Sequence, residues 1–391
     1  MKTTRRFTRT HKLATIVLLA CATALVSQAR AKVGSRPVPI TPEAQHARIE
    51  VAFVLDTTGS MSGLIEGAKQ KIWSIANQMA NTRQQADLRI ALIGYRDRGD
   101  EYVTRRFDLT PDVDAIYGQL QAFRAAGGGD GPESVNQALH EAVAQLDWSE
   151  GSDVYRVIFL VGDAPPHLDY QDDVNYAESA RLAAQRDIAI NTIQCGAMDA
   201  TSSIWREIAR IGHGQYASIA QDGAMLALVS PMDDRLAELN REVASTVVGW
   251  GDEDEKRSLS RKLARVLSAS PSSAAARLSY LTKSGGFAMT GRKDLVDAVN
   301  EGEVEIGALE DSVLPESMQA MAPQEREVFL KNQAKKREFL QEEIAGLALK
   351  RDSWIREEAE RRRNAGEPGG FDAEVLDTVR KQAASKGIVY E

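Results

Sequence analysis

Cysteine is all but missing from this chain of 391 residues, which has only Cys21 and Cys195. Cys21 sits inside an apolar stretch near the start, and without that stretch Cys195 stands alone. No disulfide within the chain is then available, so the fold must rest on its core. Basic charge is short as well. Lys and Arg number 48 against 56 Asp and Glu, a net charge of −8. That balance argues against a general binder of nucleic acid or anionic membranes. After Val26, no apolar run approaches the roughly 18 residues that a membrane span needs. Nucleotide motifs are lacking too: there is no G-x-x-x-x-G-K-[ST] loop, and no kinase H-R-D or D-F-G set.

What is present begins with a targeting pattern. Lys2, Arg5, Arg6, Arg9 and Lys12 precede an apolar run from Leu13 to Val26, and Ala29-Arg30-Ala31 offers an A-x-A cleavage site. Residues 1–31 therefore read as a signal peptide, which places the protein in the periplasm or outside the cell. Leu18-Leu19-Ala20-Cys21 has the look of a lipoprotein box but lies midway through the apolar run. Arg5-Arg6-Phe7 approximates a twin-arginine signal with the Phe one place early. Cleavage removes six basic residues and no acid, leaving 42 against 56, or −14. Residues 32–47, with Pro37, Pro39 and Pro42, read as an extended linker.

From Arg48 the chain alternates apolar strands with amphipathic helices. Strands are expected over Arg48–Leu55, Leu88–Tyr95, Tyr102–Leu109, Tyr155–Gly162, Ile188–Cys195 and Gln215–Ile219. Helices are expected between them, with a closing helix over Asp222–Val248. Such alternation predicts an α/β fold, a doubly wound and mostly parallel sheet over residues 48–248. The charged break Gly251–Glu255 marks a domain boundary, followed by a helical C-terminal extension. Its parts are a small mixed region over 256–310, a long helix or helical hairpin over 316–363, and a polar tail over 364–391. Leu340, Ile344, Leu347 and Trp354 make a heptad seam interrupted at Arg351. The seam suggests self-association, but two heptads fall short of a coiled coil. That favours a helix laying one face on its own domain.

The chemistry gathers in three segments. Asp56, Thr58 and Ser60 lie in the turn that leaves the apolar run Val51–Leu55. Asp130 lies in the Gly-rich loop Gly127-Gly128-Gly129-Asp130-Gly131, and Asp163 ends the apolar run Val157–Gly162. Ligands of open α/β sheets bind outside the carboxyl ends of the strands, where these residues are expected. Hard oxygen donors suit a divalent cation, Mg²⁺ first, with Ca²⁺ or Mn²⁺ as alternatives. Together the segments resemble the metal-ion-dependent adhesion site of von Willebrand factor type A domains, over residues 46 to about 245. That motif runs D-x-[ST]-x-S, then a loop Thr, then a strand-end Asp. Asp56, Thr58, Ser60 and Asp163 match, while Asp130 stands where the family usually has Thr. The Gly-Gly-Gly-Asp loop and Asp163-Ala164-Pro165-Pro166-His167 are similar to a bacterial and hemicentin-like subgroup. The resemblance implies hydroxyls that bind the ion directly, and one open position for a partner's carboxylate. A further carboxylate at Asp130 should tighten the cation and weaken its pull on that partner.

Neighbouring residues have plainer expectations. Glu133 is expected to cap the following helix, His167 to lie at the surface, and Arg98-Gly99-Asp100 to be a chance tripeptide in a turn. His140-Glu141 lacks its second His, since Ala144 holds that place, and Met61 takes the nucleophile position of an apparent elbow over residues 59–63. The reading that follows is an exported, divalent-metal-dependent protein-interaction module rather than an enzyme. The alternatives are a metal-dependent hydrolase on the same carboxylates, or a structural envelope protein merely stabilised by its metal.

Overall fold

The apolar run behind Asp56 becomes the central strand β1 (Arg48–Asp56). In this computed structural model the described residues are 47–79, 86–129, 131–219, 228–283, 293–365 and 371–389. The expected signal peptide and all but the last residue of the expected linker lie outside them, as does Asp130. Strand β1 is flanked by β2 (Asp87–Tyr95) and β4 (Val154–Gly162), both parallel to it. Beyond β2 lies the antiparallel edge strand β3 (Thr104–Thr110); beyond β4 lie β5 (Ile188–Cys195) and β6 (Tyr216–Ile219). The order is β3-β2-β1-β4-β5-β6. Every residue of β4 is buried, as a parallel strand covered on both faces requires.

Alternation along β1 sorts its side chains into two cores. Ala52 and Val54 face α3 (Val135–Ala144), α4 (Tyr176–Gln185) and α5 (Asp199–Ile211), meeting Leu139, Ala180 and Trp205. Val51, Phe53 and Leu55 face the opposite layer, which begins with α1 (Ile65–Met79) and α2 (Val113–Ala122). Residues 222–227 of the expected closing helix lie outside the described residues, and helix α6 covers Asp233–Ala244. Residues 228–230 are not helical, and the turn ahead of α6 is held by Ser230, whose hydroxyl donates to Asp233.

The C-terminal extension completes that second layer and adds a third, smaller core around Leu295, Met318 and Leu330. It comprises α7 (Glu253–Leu267), α8 (Pro271–Lys283), α9 (Leu295–Asn300), α10 (Glu316–Gln319), α11 (Pro323–Asn364) and α12 (Phe371–Ala384). Leu278, Leu281, Leu340, Ile344, Val379 and Ile388 enter the same core as Phe53 and Leu55. Asp252 caps α7 in a capping box with Glu255, so the charged stretch read as a boundary is a helix start. The expected seam on α11 is covered from within the chain: Leu340 and Ile344 are buried against α6 and α8, and Leu347 packs beside them. The favoured reading, a helix laying one face on its own domain, holds for these three residues, and nothing here supports self-association through them. Arg351 does not interrupt the seam. Its Nε donates to the buried Asp233 at 2.8 Å, pinning α11 to the start of α6. Arg277 makes a second buried lock, with two 2.6 Å bonds to Asp114 of α2 and one of 2.9 Å to Asn240 of α6.

Candidate metal centre

Parallel register brings the two strand-end aspartates together. Leu55 pairs with Val161, so Asp56 and Asp163 leave adjacent strands at the same carboxyl edge. Gly162 makes the approach feasible, since a Cβ there would lie 2.3 Å from the Tyr95 hydroxyl oxygen and 2.8 Å from Asp56 Cβ. Thr58 donates from its backbone N and its hydroxyl to Asp56 Oδ1, at 2.8 and 2.6 Å. The Thr58 and Ser60 hydroxyl oxygens lie 3.0 Å apart, and Ser60 donates to Asp163 Oδ1 at 3.0 Å. Four of the five expected site residues thus form one chain of contacts. Asp130 lies outside the described residues.

The loop before Asp130 is fixed over this cluster. Gly59 N donates to Gly127 O at 3.0 Å, and Ala126 N to Thr57 O at 3.0 Å. Gly127 and Gly128 both have left-handed φ, +77° and +78°, which other residues adopt with strain. Asp100 accepts from Gly128 N at 2.9 Å and from Asp97 N at 3.2 Å. The Arg98-Gly99-Asp100 tripeptide is therefore a brace for the site's loop.

Electrostatically the cluster is a carboxylate nest without a counter-charge. Burial, then the charge of Asp163, pushes the Asp56 carboxyl up to about 7. Burial also raises Asp163. Asp56 Oδ2 is buried with no hydrogen-bond donor, and among the described residues no ion pair reaches Asp56 or Asp163. No three Asp, Glu, His or Cys side chains among the described residues cluster tightly enough to hold an ion alone. The available donors are two carboxylates and two hydroxyls, a hard oxygen set that fits a divalent cation. Asp56 and Thr58 are buried while Ser60 is exposed, so the set opens to solvent on one side.

Glu133 and His167 depart from their expectations. Helix α3 opens at Ser134, and the Glu133 side chain does not cap it. The Glu133 carboxyl is buried instead beside Thr58, and burial, then Asp56 and Asp97, raises it to about 9. His167 is buried rather than at the surface. Its Nδ1 lies 2.8 Å from Asp169, its Nε2 3.4 Å from Asp97, and its ring stacks on Tyr170 at 4.0 Å. Arg98 covers the Tyr170 ring at 4.0 Å. Nothing in local spacing signals this network, whose members come from loops after β2 and β4.

Residues 50–229 match the family described as von Willebrand factor A domain. This segment is a von Willebrand factor A domain. Mouse von Willebrand factor A domain-containing protein 7 is 34% identical over 172 residues, covering 42% of this chain and 17% of that protein. An alpha-protein kinase of Dictyostelium discoideum is 27% identical over 122 residues, covering 30% of this chain and 19% of that protein. The chain thus spans less than a fifth of these curated relatives. Among solved structures, mussel proximal thread matrix protein 1 with a zinc-occupied metal-ion-dependent adhesion site has a TM-score of 0.37 at 16% identity. The alignment covers 46% of this chain and 43% of that one. Within the von Willebrand factor A domain, the Asp56–Asp163 cluster lies at the carboxyl edge between β1 and β4, and no described helix is long and apolar enough to cross a membrane.

Proposed function

We propose that the chain is an exported, divalent-cation-dependent interaction module whose von Willebrand factor A domain engages a protein partner. What supports the reading most is the Asp56 side chain: an unpaired carboxylate oxygen buried among oxygen donors, beside the exposed Ser60. Asp56 and Asp163 would supply negative charge to the ion, and Thr58 and Ser60 neutral oxygens. Asp130 belongs to the same reading as a further carboxylate from the loop. A bound Mg²⁺, or Ca²⁺ or Mn²⁺ in its place, supplies a positive centre that takes an oxygen from the partner. The apo cluster has the opposite sign and would repel an acidic partner, so binding depends on the cation. The Gly-Gly-Gly-Asp loop supports placement in a bacterial, hemicentin-like subgroup, and residues 1–31 support export.

The test is capture from an envelope extract by the immobilised chain, in Mg²⁺ and in EDTA, with Asp163→Asn as control. A protein retained by the wild type only in Mg²⁺, and not by Asp163→Asn, is the expected result. Identical retention with and without chelator contradicts the proposal. Chelator-sensitive turnover of ester or phosphoester substrates would favour the hydrolase instead.

A further inference from the structure

Glu133 sits beside the cluster as a buried carboxyl without a structural task. It is 2% exposed, and its Oε2 has no hydrogen-bond donor. Backbone bonds fix it on both sides: its N donates to Pro165 O at 2.9 Å, and its O accepts from His167 N at 3.1 Å. Residue 133 is thereby tied to the segment that follows β4 and carries Asp163. The side chain reaches the site. A Cβ on Gly128 would lie 3.1 Å from Glu133 Oε1 and 3.3 Å from Thr58 Cβ, so both groups close around that glycine. The Thr58 hydroxyl donates to Asp56, and Glu133 Oε1 faces the Thr58 side chain across Gly128. No described ion pair compensates Glu133, and an uncompensated buried carboxyl is costly where a neutral residue would serve for packing.

A hydroxyl that ligates a cation does so through a lone pair, and its proton then needs an acceptor. The Thr58 hydroxyl donates its hydrogen bond to Asp56 Oδ1 at 2.6 Å. An ion drawing on the Asp56 oxygens competes for this bond, and Glu133 is the other acceptor at hand. We infer that Glu133 is an outer carboxylate of the cation site, which would accept the hydrogen bond of the Thr58 hydroxyl once Asp56 is engaged by the ion. It is a positioning residue, and its role rests on the cation reading proposed above. Groups of this kind fix the orientation of metal ligands, and losing one typically weakens metal affinity by about 10- to 100-fold.

The test is calorimetric titration of the full chain with Mn²⁺ and with Mg²⁺, paired with thermal unfolding in EDTA. Glu133→Gln should weaken cation affinity by about 10- to 100-fold. Its melting temperature in EDTA should equal or exceed the wild-type value, because Gln is spared the cost of burying a carboxyl that must bind a proton to stay neutral; a merely structural residue would lower it. If Glu133→Gln does not fold, Glu133→Asp serves: weaker cation binding at an unchanged apo melting temperature is expected. Wild-type binding matched within twofold by the folded variant overturns the role of Glu133 alone. A wild type that binds neither Mn²⁺ nor Mg²⁺ overturns the cation reading itself.

Discussion

Replacing Asp56 by Asn should stabilise the cation-free protein, increasingly so as pH rises. The Asp56 carboxyl is raised from 3.8 to about 7 by burial and by Asp163. Between those values the unfolded chain has released a proton that the folded chain keeps, so stability falls with rising pH. Each pH unit costs about 1.4 kcal/mol, or roughly 4 kcal/mol across the window. Asp163 shares this repulsion, so the relief available to one substitution is smaller. Asn still accepts from Thr58 but without charge, a loss of about 1 kcal/mol. The expected gain is about 2 kcal/mol larger at pH 8 than at pH 5. Urea unfolding in EDTA at both pH values measures it. Adding Mg²⁺ should reverse the order at pH 8, because a ligand at a hundredfold excess over its Kd stabilises the wild type by about 2.7 kcal/mol. A gain identical at pH 5 and pH 8 would refute the buried-pair reasoning.

Other expectations test the scaffold. Arg277→Ala leaves Asp114 buried without its partner and should cost about 3–5 kcal/mol in urea unfolding. Gly162→Ala forces a Cβ to within 2.3 Å of the Tyr95 hydroxyl oxygen, and should shift Asp56 and weaken Mn²⁺ binding in a calorimetric titration. A chain ending at Glu255 loses α8, α11 and α12 and bares the Phe53–Leu55 face of the sheet. It should aggregate or lack a cooperative melt, whereas a soluble, cooperatively melting product would show that the sheet domain stands alone.

Much of the fold is legible because β1 and β4 are short apolar runs ending in acidic turns, and only a doubly covered sheet buries such runs. Asp56, Thr58, Ser60 and Asp163 are legible for the same reason: their positions follow from where strands end. Glu133 is not, because its burial depends on pairing with Pro165 and His167 after another strand. Next to a helix start, its sequence position reads equally well as a cap. Arg351 misleads in the same way. A charge in an apolar seam looks like a break until Asp233, 118 residues away, is placed against it. The docking of the extension is equally hidden, because hydrophobic periodicity shows which face of α11 is apolar and not what covers it.

The most direct test of the central claim is a calorimetric titration of the full chain with Mg²⁺ and Mn²⁺, beside Asp163→Asn. One saturable site is expected in the wild type, abolished or strongly weakened by the substitution while the apo fold persists. Equal binding by both proteins, or none by the wild type, would contradict it.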